Sequence, residues 1–254
     1  MYKNKVKELL ANHQPVLGCI LQGAFPPIVE ILGLAGFHFV FIDAEHYPFP
    51  ENDIENLFRA AEVRHLIPFI RTPAIDEKII LKYLDMGAMG IIIPGIRTSS
   101  EAEAAVLASK YYPDGNRGFS STRSSDYGFC SSKVDYMKQA NQETMVISVI
   151  ETKEALDNLE EIVAIDGMDA FLLGTSDLSI ALGVPGQTNH PLVEAAFTKL
   201  LQAGKKYNKP VGNYLREGQS PKDFFDKGAA IAMTSVNSLL KAACVDFVKK
   251  GLAK

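Results

Sequence analysis

Glu151 and Asp177 each follow a short apolar run. Two carboxylates at the ends of neighbouring strands can hold one hard divalent cation, Mg2+ or Mn2+ by ligand type, with water or substrate completing the shell. Either acid alone could instead cap the helix behind it; beside an arginine and a histidine, the pair reads as a metal site. Asp43 and His46 lie three residues apart in a turn, a spacing that lets the carboxylate orient the imidazole as a base and raise its basicity. Arg71 closes another apolar run, where its guanidinium suits a carboxylate or developing oxyanion, or else a structural ion pair with the nearby acids. Gly174-Thr175-Ser176, and Gly115-Asn116-Arg117-Gly118 in a long loop, could present backbone amides to an anion. His13, His38, His65 and His190 lack such company and read as structural. No phosphate-loop or GxGxxG pattern is present, which leaves nucleotide binding without support.

The elements that must position these residues alternate. Apolar runs at 16–21, 37–43, 67–71, 89–94, 145–151, 169–173, 210–215 and 229–234 read as strands. Amphipathic segments follow them, at about 27–35, 51–61, 76–86, 100–111, 153–163, from Pro191, from Pro221 behind a Ser220 cap, and at 238–249. Ser100-Glu101-Ala102-Glu103 has the spacing of a capping box. A Gly- and Ser-rich stretch at 113–132 breaks the rhythm, and a helix at 132–142 follows it. A strand–helix unit takes about 30 residues, so eight need about 240, and the chain has 254. The pattern predicts an α/β fold, a single-domain (β/α)8 TIM barrel over 1–254 preceded by a short N-terminal helix. Such barrels carry their chemistry at the C-terminal ends of the strands, where the polar residues above fall.

Composition narrows the partners. A net charge of -4 with no basic stripe argues against nucleic acid. The apolar region at 15–42 is broken by Gly23, Pro26, Pro27, Gly33 and Gly36, so it reads as strand, helix and strand rather than a membrane span. Cys19, Cys130 and Cys244 fit neither a disulfide framework nor a zinc knuckle, which suggests a reducing compartment, the cytoplasm.

The segments Phe41-Ile42-Asp43-Ala44-Glu45-His46, Phe69-Ile70-Arg71, Gly115-Asn116-Arg117-Gly118, Ile150-Glu151-Thr152 and Gly174-Thr175-Ser176-Asp177-Leu178-Ser179 together resemble the HpcH/HpaI aldolases, metal-dependent class II pyruvate aldolases, over essentially the whole chain. Relatives in that family cleave 4-hydroxy-2-oxoheptanedioate or 2-keto-3-deoxy sugar acids. The resemblance implies a barrel of the pyruvate/phosphoenolpyruvate-binding type, with Glu151 and Asp177 as ligands of Mg2+, Mn2+ or Co2+. It implies His46 as catalytic histidine paired with Asp43, and Arg71 on the keto oxygen. Amides from Gly174 to Asp177, Thr175 and Ser176 among them, would take the pyruvate carboxylate. Arg117 and Arg123 match loop arginines. It further implies a homo-oligomer, a hexamer or built of dimers, with the last helix packed on a neighbouring subunit. Three positions depart from the pattern. Val149 stands for a glutamine, Ile20 lies about where relatives carry a tryptophan, and Arg97 has no family counterpart.

The expected activity is cleavage of a 4-hydroxy-2-oxo acid to pyruvate and an aldehyde through a metal-bound enolate. No lysine ends an inner strand, which speaks against Schiff-base chemistry. Two rivals share the barrel: an acyl-CoA lyase similar to citrate lyase β-subunits, and a metabolite-binding barrel that has lost catalysis.

Overall fold

The computed structural model describes residues 2–216 and 218–252. Eight parallel strands close in sequence order: β1 Val16–Leu21, β2 Phe39–Asp43, β3 Ile67–Arg71, β4 Gly90–Ile93, β5 Met145–Ile150, β6 Ala170–Leu173, β7 Val211–Tyr214 and β8 Ile231–Ser235. The helices are α1 Lys5–Ala11, α2 Pro26–Leu34, α3 Glu51–Val63, α4 Glu77–Met86, α5 Ser99–Ser109, α6 Lys133–Glu143, α7 Lys153–Asp157, α8 Leu159–Val163, α9 Thr175–Ala181, α10 Pro191–Tyr207, α11 Pro221–Asp226 and α12 Val236–Leu252. The expected (β/α)8 barrel is therefore the fold.

Alternation along each strand builds two cores. One set, including Val16, Phe39, Phe41, Phe69, Ile147, Val149 and Met233, fills the barrel. The other, including Val40, Ile42, Ile70, Ile91 and Ile150, packs under the helices. Gly18 makes room in the interior: a Cβ there would lie 2.0 Å from Cζ of Phe39. Val6 and Leu10 of α1 join the inner cluster and close the N-terminal end of the barrel. Asn4 anchors that plug, accepting from the Lys7 amide and donating to the Met89 and Glu143 carbonyls.

Several local expectations need correction. The capping box belongs to Thr98 with Glu101 rather than to Ser100, which lies inside α5. Ser220 occupies the N-cap of α11 without a side-chain hydrogen bond, so Pro221 opens that helix alone. The helix expected over 153–163 breaks at Asn158, whose amide group donates 2.9 Å to the Arg97 carbonyl. The 113–132 loop carries a short 3-10 turn, Arg123–Gly128. Arg123 holds it to Glu62 and to the Met86 carbonyl. Arg117 is buried against Asp85, 4.5 Å from the Tyr111 ring. The amides of Gly115, Asn116 and Arg117 go to main-chain carbonyls, so this segment is not an anion cradle. His38 and His190 are satisfied by backbone amides, as expected of structural histidines.

Lys110 ties the end of α5 to the entry of β5, donating Nζ to the carbonyls of Asn141 at 2.8 Å and Thr144 at 2.6 Å. Burial pushes its ammonium down to about 8. An unfolded lysine keeps its proton to about pH 10.5, so the folded chain binds fewer protons between these values. Its contribution to stability is full above the upper value and is lost as pH falls through the lower one. Urea unfolding at pH 8 and pH 10 should therefore show the wild type gaining, relative to Lys110→Met, on the order of 1–3 kcal/mol at the higher pH. An unchanged difference would contradict this account.

Candidate active site

Strands β2 and β3 pair with Asp43 opposite Arg71 at their C-terminal ends. The register fixes the contact. Arg71 donates Nε to Asp43 Oδ1 at 3.0 Å and Nη2 to Oδ2 at 2.7 Å, a fork-to-fork pair on a nearly fully buried carboxylate. Its Nε also lies 3.1 Å from Oε2 of Glu45, and its guanidinium sits 5.4 Å from the Phe41 ring centroid. Burial works against the charge on Arg71. Its bond to Asp43, with the charges of Asp43, Glu45 and Glu151, outweighs that and raises its pKa.

This arrangement corrects the expected Asp43–His46 pair. Both Asp43 oxygens serve Arg71, and Oδ1 meets His46 only through the main-chain amide, at 3.3 Å. The imidazole leans toward its other neighbour, with Nε2 3.5 Å from Glu45 Oε2. A buried carboxylate gains more from a guanidinium held in register than from a half-exposed ring. Glu45, between Asp43 and His46 in sequence, is the third member of this cluster. Its Oε2 is buried and has no hydrogen-bond partner among the described residues. Burial raises the Glu45 carboxyl; Arg71 and His46 pull it down, while Asp43 and Asp177 push it up again.

Glu151 follows β5 directly and continues the inward alternation of Ile147 and Val149. It is 8% exposed, and Oε1 accepts from the Gly95 amide at 2.7 Å. Burial pushes its carboxyl up to about 7; the Gly95 amide opposes that, and the charges of Glu45 and Asp177 add to it. Asp177 is in the first turn of α9, exposed. Thr175 and Ser176 open that helix, where first-turn amides lack intrahelical acceptors. Gly174 differs from expectation, because its amide is already given to the Ile150 carbonyl at 2.9 Å. Its service is steric. A Cβ there would lie 2.6 Å from Glu151 Oε2 and 3.0 Å from Val149 Cγ1. Arg97 contributes main chain, donating from its amide to Glu101 and accepting from Asn158, while its side chain is exposed.

A cavity of about 380 Å3 opens at this mouth, lined by Asp43, His46 and Arg71 among others. A larger groove of about 950 Å3 lies at the opposite end of the barrel. There Lys7 pairs with Asp169 at 2.8 Å, and Lys209 donates to the Met168 carbonyl at 2.7 Å.

Apart from the His46 imidazole, the mouth offers oxygen donors. Glu151 ionises reluctantly without added positive charge, and Glu45 Oε2, buried, has only its ionic contacts with Arg71 and His46. Such a set fits a hard divalent cation, with Glu151 and Asp177 as the pair that would hold it. Among the described residues no three His, Cys, Asp or Glu side chains form a fuller cage.

Fold and mouth together define a (β/α)8 enzyme with an acidic, arginine-braced site at the strand ends. The chain belongs to the HpcH/HpaI aldolase/citrate lyase family, whose model matches residues 17–241, and it is accordingly an enzyme of the aldolase and lyase class. It is 36% identical over 216 residues to the 5-keto-4-deoxy-D-glucarate aldolase of Klebsiella pneumoniae, covering 84% of this chain and 82% of that one. The HpcH/HpaI aldolase of Desulfitobacterium hafniense superposes with a TM-score of 0.92 at 26% identity, over 98% of this chain and 96% of that one. Citrate synthase SbnG superposes with a TM-score of 0.85 at 30% identity, over 96% and 98% respectively. Among the described residues no helix is long and apolar enough to cross a membrane.

Gly174→Ala should drive Glu151 away from Gly95. Titration calorimetry with Mn2+ should show affinity reduced by about tenfold or more, with a stability loss of about 1–3 kcal/mol from overpacking. Undiminished Mn2+ affinity would remove Glu151 from the ligand pair.

Proposed function

We propose that this enzyme cleaves 4-hydroxy-2-oxo acids to pyruvate and an aldehyde, with a divalent cation, Mg2+, Mn2+ or Co2+, held by Glu151 and Asp177. The observation that carries this reading is the Arg71 guanidinium, clamped by Asp43 and Glu45 beside a carboxylate pair at one barrel mouth. The 36% identity to a sugar-acid aldolase supports it.

A bound divalent cation supplies Lewis acidity toward the substrate's carboxylate and keto oxygens. Asp43 and Glu45 occupy the Nε and Nη2 edge of Arg71, which leaves Nη1 to face the keto oxygen and the negative charge it gains as the enolate forms. First-turn amides at Thr175 and Ser176 orient the carboxylate. The His46 imidazole, steadied by Glu45, takes the proton from the 4-hydroxyl. The C3–C4 bond then breaks, its electron pair passing to the pyruvate enolate, and the aldehyde leaves. Val149 makes the floor beneath Glu151 apolar.

The exposed apolar side chains of α12, among them Leu239, Leu240, Phe247 and Val248, fit a homo-oligomer in which this helix packs on a neighbouring subunit. The citrate lyases that share the family favour a second reading, a lyase acting on an acyl-CoA thioester.

Pyruvate release from a panel of 4-hydroxy-2-oxo acids tests the proposal. Chelator should abolish it, and Mg2+, Mn2+ or Co2+ should restore it. His46→Ala should lower turnover by about 10²–10⁴ while pyruvate still binds. Arg71→Ala should also slow proton exchange at the pyruvate methyl group, where the enolate forms directly. Full activity in excess chelator, or turnover of acyl-CoA alone, would overturn the aldolase reading.

A further inference from the structure

Two hydrogen bonds close a ring behind Glu151. From Glu151 the chain runs through Thr152, which caps α7, and α7 ends at Asn158. Asn158 Nδ2 donates 2.9 Å to the Arg97 carbonyl. Two residues before Arg97, the Gly95 amide donates 2.7 Å to Glu151 Oε1. The segment that carries Glu151 therefore returns, by way of Asn158, to the group that holds its carboxylate.

The Gly95 amide meets Glu151 only if the loop between β4 and α5 is turned the right way. Gly95 has φ +65°, in the left-handed region, and a Cβ there would touch nothing, so the glycine serves the turn rather than a close approach. Ile96 is fully buried in the outer core and fixes the depth of the loop. Apolar burial is non-directional and leaves rotation about that anchor open. Arg97 settles the rotation through its main chain: Glu101 Oε2 accepts from its amide at 2.6 Å, and Asn158 binds its carbonyl. Glu101 has a local reason to be there, as half of the capping box of α5.

Asn158 has none. It stands at the N-cap of α8, where asparagine is favoured because its side chain can accept a first-turn amide. Here the side chain makes no such bond. The residue also divides 153–163 into two short helices. In return it makes one solvent-exposed hydrogen bond, to a carbonyl that water could serve almost as well. Such a bond contributes little to stability. What it determines is the orientation of the peptide units from Gly95 to Arg97.

We infer that Asn158 is a positioning residue for Glu151: it orients the loop so that the Gly95 amide occupies Oε1 and Oε2 stays over Gly174, available to a divalent cation. The inference rests on the reading of Glu151 as a metal ligand under the proposed function.

Mn2+ titration calorimetry on the metal-free enzyme, with thermal unfolding of the same samples, tests it. Asn158→Ser keeps a favoured N-cap residue but is too short to reach Arg97. Asn158→Ala lets α7 and α8 run on as one helix. Both should keep Tm within about 2 °C of the wild type or above it. Both should bind Mn2+ about three- to tenfold more weakly. A purely structural asparagine gives the reverse, a lower Tm with Mn2+ affinity intact. That result overturns the inference, as does wild-type affinity at any Tm or a failure of both variants to fold. Ser132→Ala, which removes the bond from the Asp135 amide at the start of α6, controls for lost stability. If it weakens Mn2+ binding as much as the Asn158 variants do, the inference falls. Glu151→Ala separates the two levels. Unchanged Mn2+ affinity in Glu151→Ala removes the ligand reading and Asn158 with it. Lost affinity there, with affinity kept in the Asn158 variants, removes the positioning role alone.

Discussion

Four carboxylates, Asp43, Glu45, Glu151 and Asp177, feel one another's charge at one end of this barrel, and Arg71 is the guanidinium set among them. Acids brought together out of water repel one another and lose hydration, so each must find a positive partner or take up a proton. Arg71 resolves this for Asp43 with two parallel hydrogen bonds, and in part for Glu45. Glu151 is left with one backbone amide, and burial raises its carboxyl to about 7. The mouth is therefore short of positive charge on its β5 and β6 side. That imbalance links the family's chemistry to the geometry of this chain: the site tolerates its own charges best when something cationic arrives.

The register of β2 and β3 makes the brace possible. Asp43 and Arg71 are 28 residues apart in sequence but direct neighbours in the sheet, on the same face and at the same height. Inward residues below them, Phe41 and Phe69, fill the barrel and keep water from the underside of the pair. α1 closes the other end, so polar groups have a single opening through which to meet a substrate.

Much of this was legible in the sequence because buried parallel strands announce themselves as apolar runs and the polar residue ending each run falls at the mouth. Glu151, Arg71 and Asp43 were located that way. Partner choice was not legible. Asp43 stands three residues from His46 and is sequentially far from Arg71, yet strand register, which no local spacing encodes, gave it to the arginine. Gly174 looked like an amide donor because glycine before a helix often is one, whereas its role depends on the Glu151 side chain, 23 residues earlier, folding over it. The capping box lies two residues before the Ser100 spacing, because Thr98 and Ser100 each have a glutamate three residues on and only the chain's path out of β4 decides between them.

The bond from Gly95 to Glu151 has a mechanical side. The loop after β4 that supplies the amide is itself tied down twice, by Glu101 on the Arg97 and Thr98 amides and by Asn158 on the Arg97 carbonyl. Glu151 is thus lashed through four residues of loop to the first turn of α5 and to the joint between α7 and α8. It stands as a stiff post rather than a swinging arm. Little rotamer freedom remains to be surrendered when a ligand arrives, and the cost of ordering that carboxylate was met when the barrel folded.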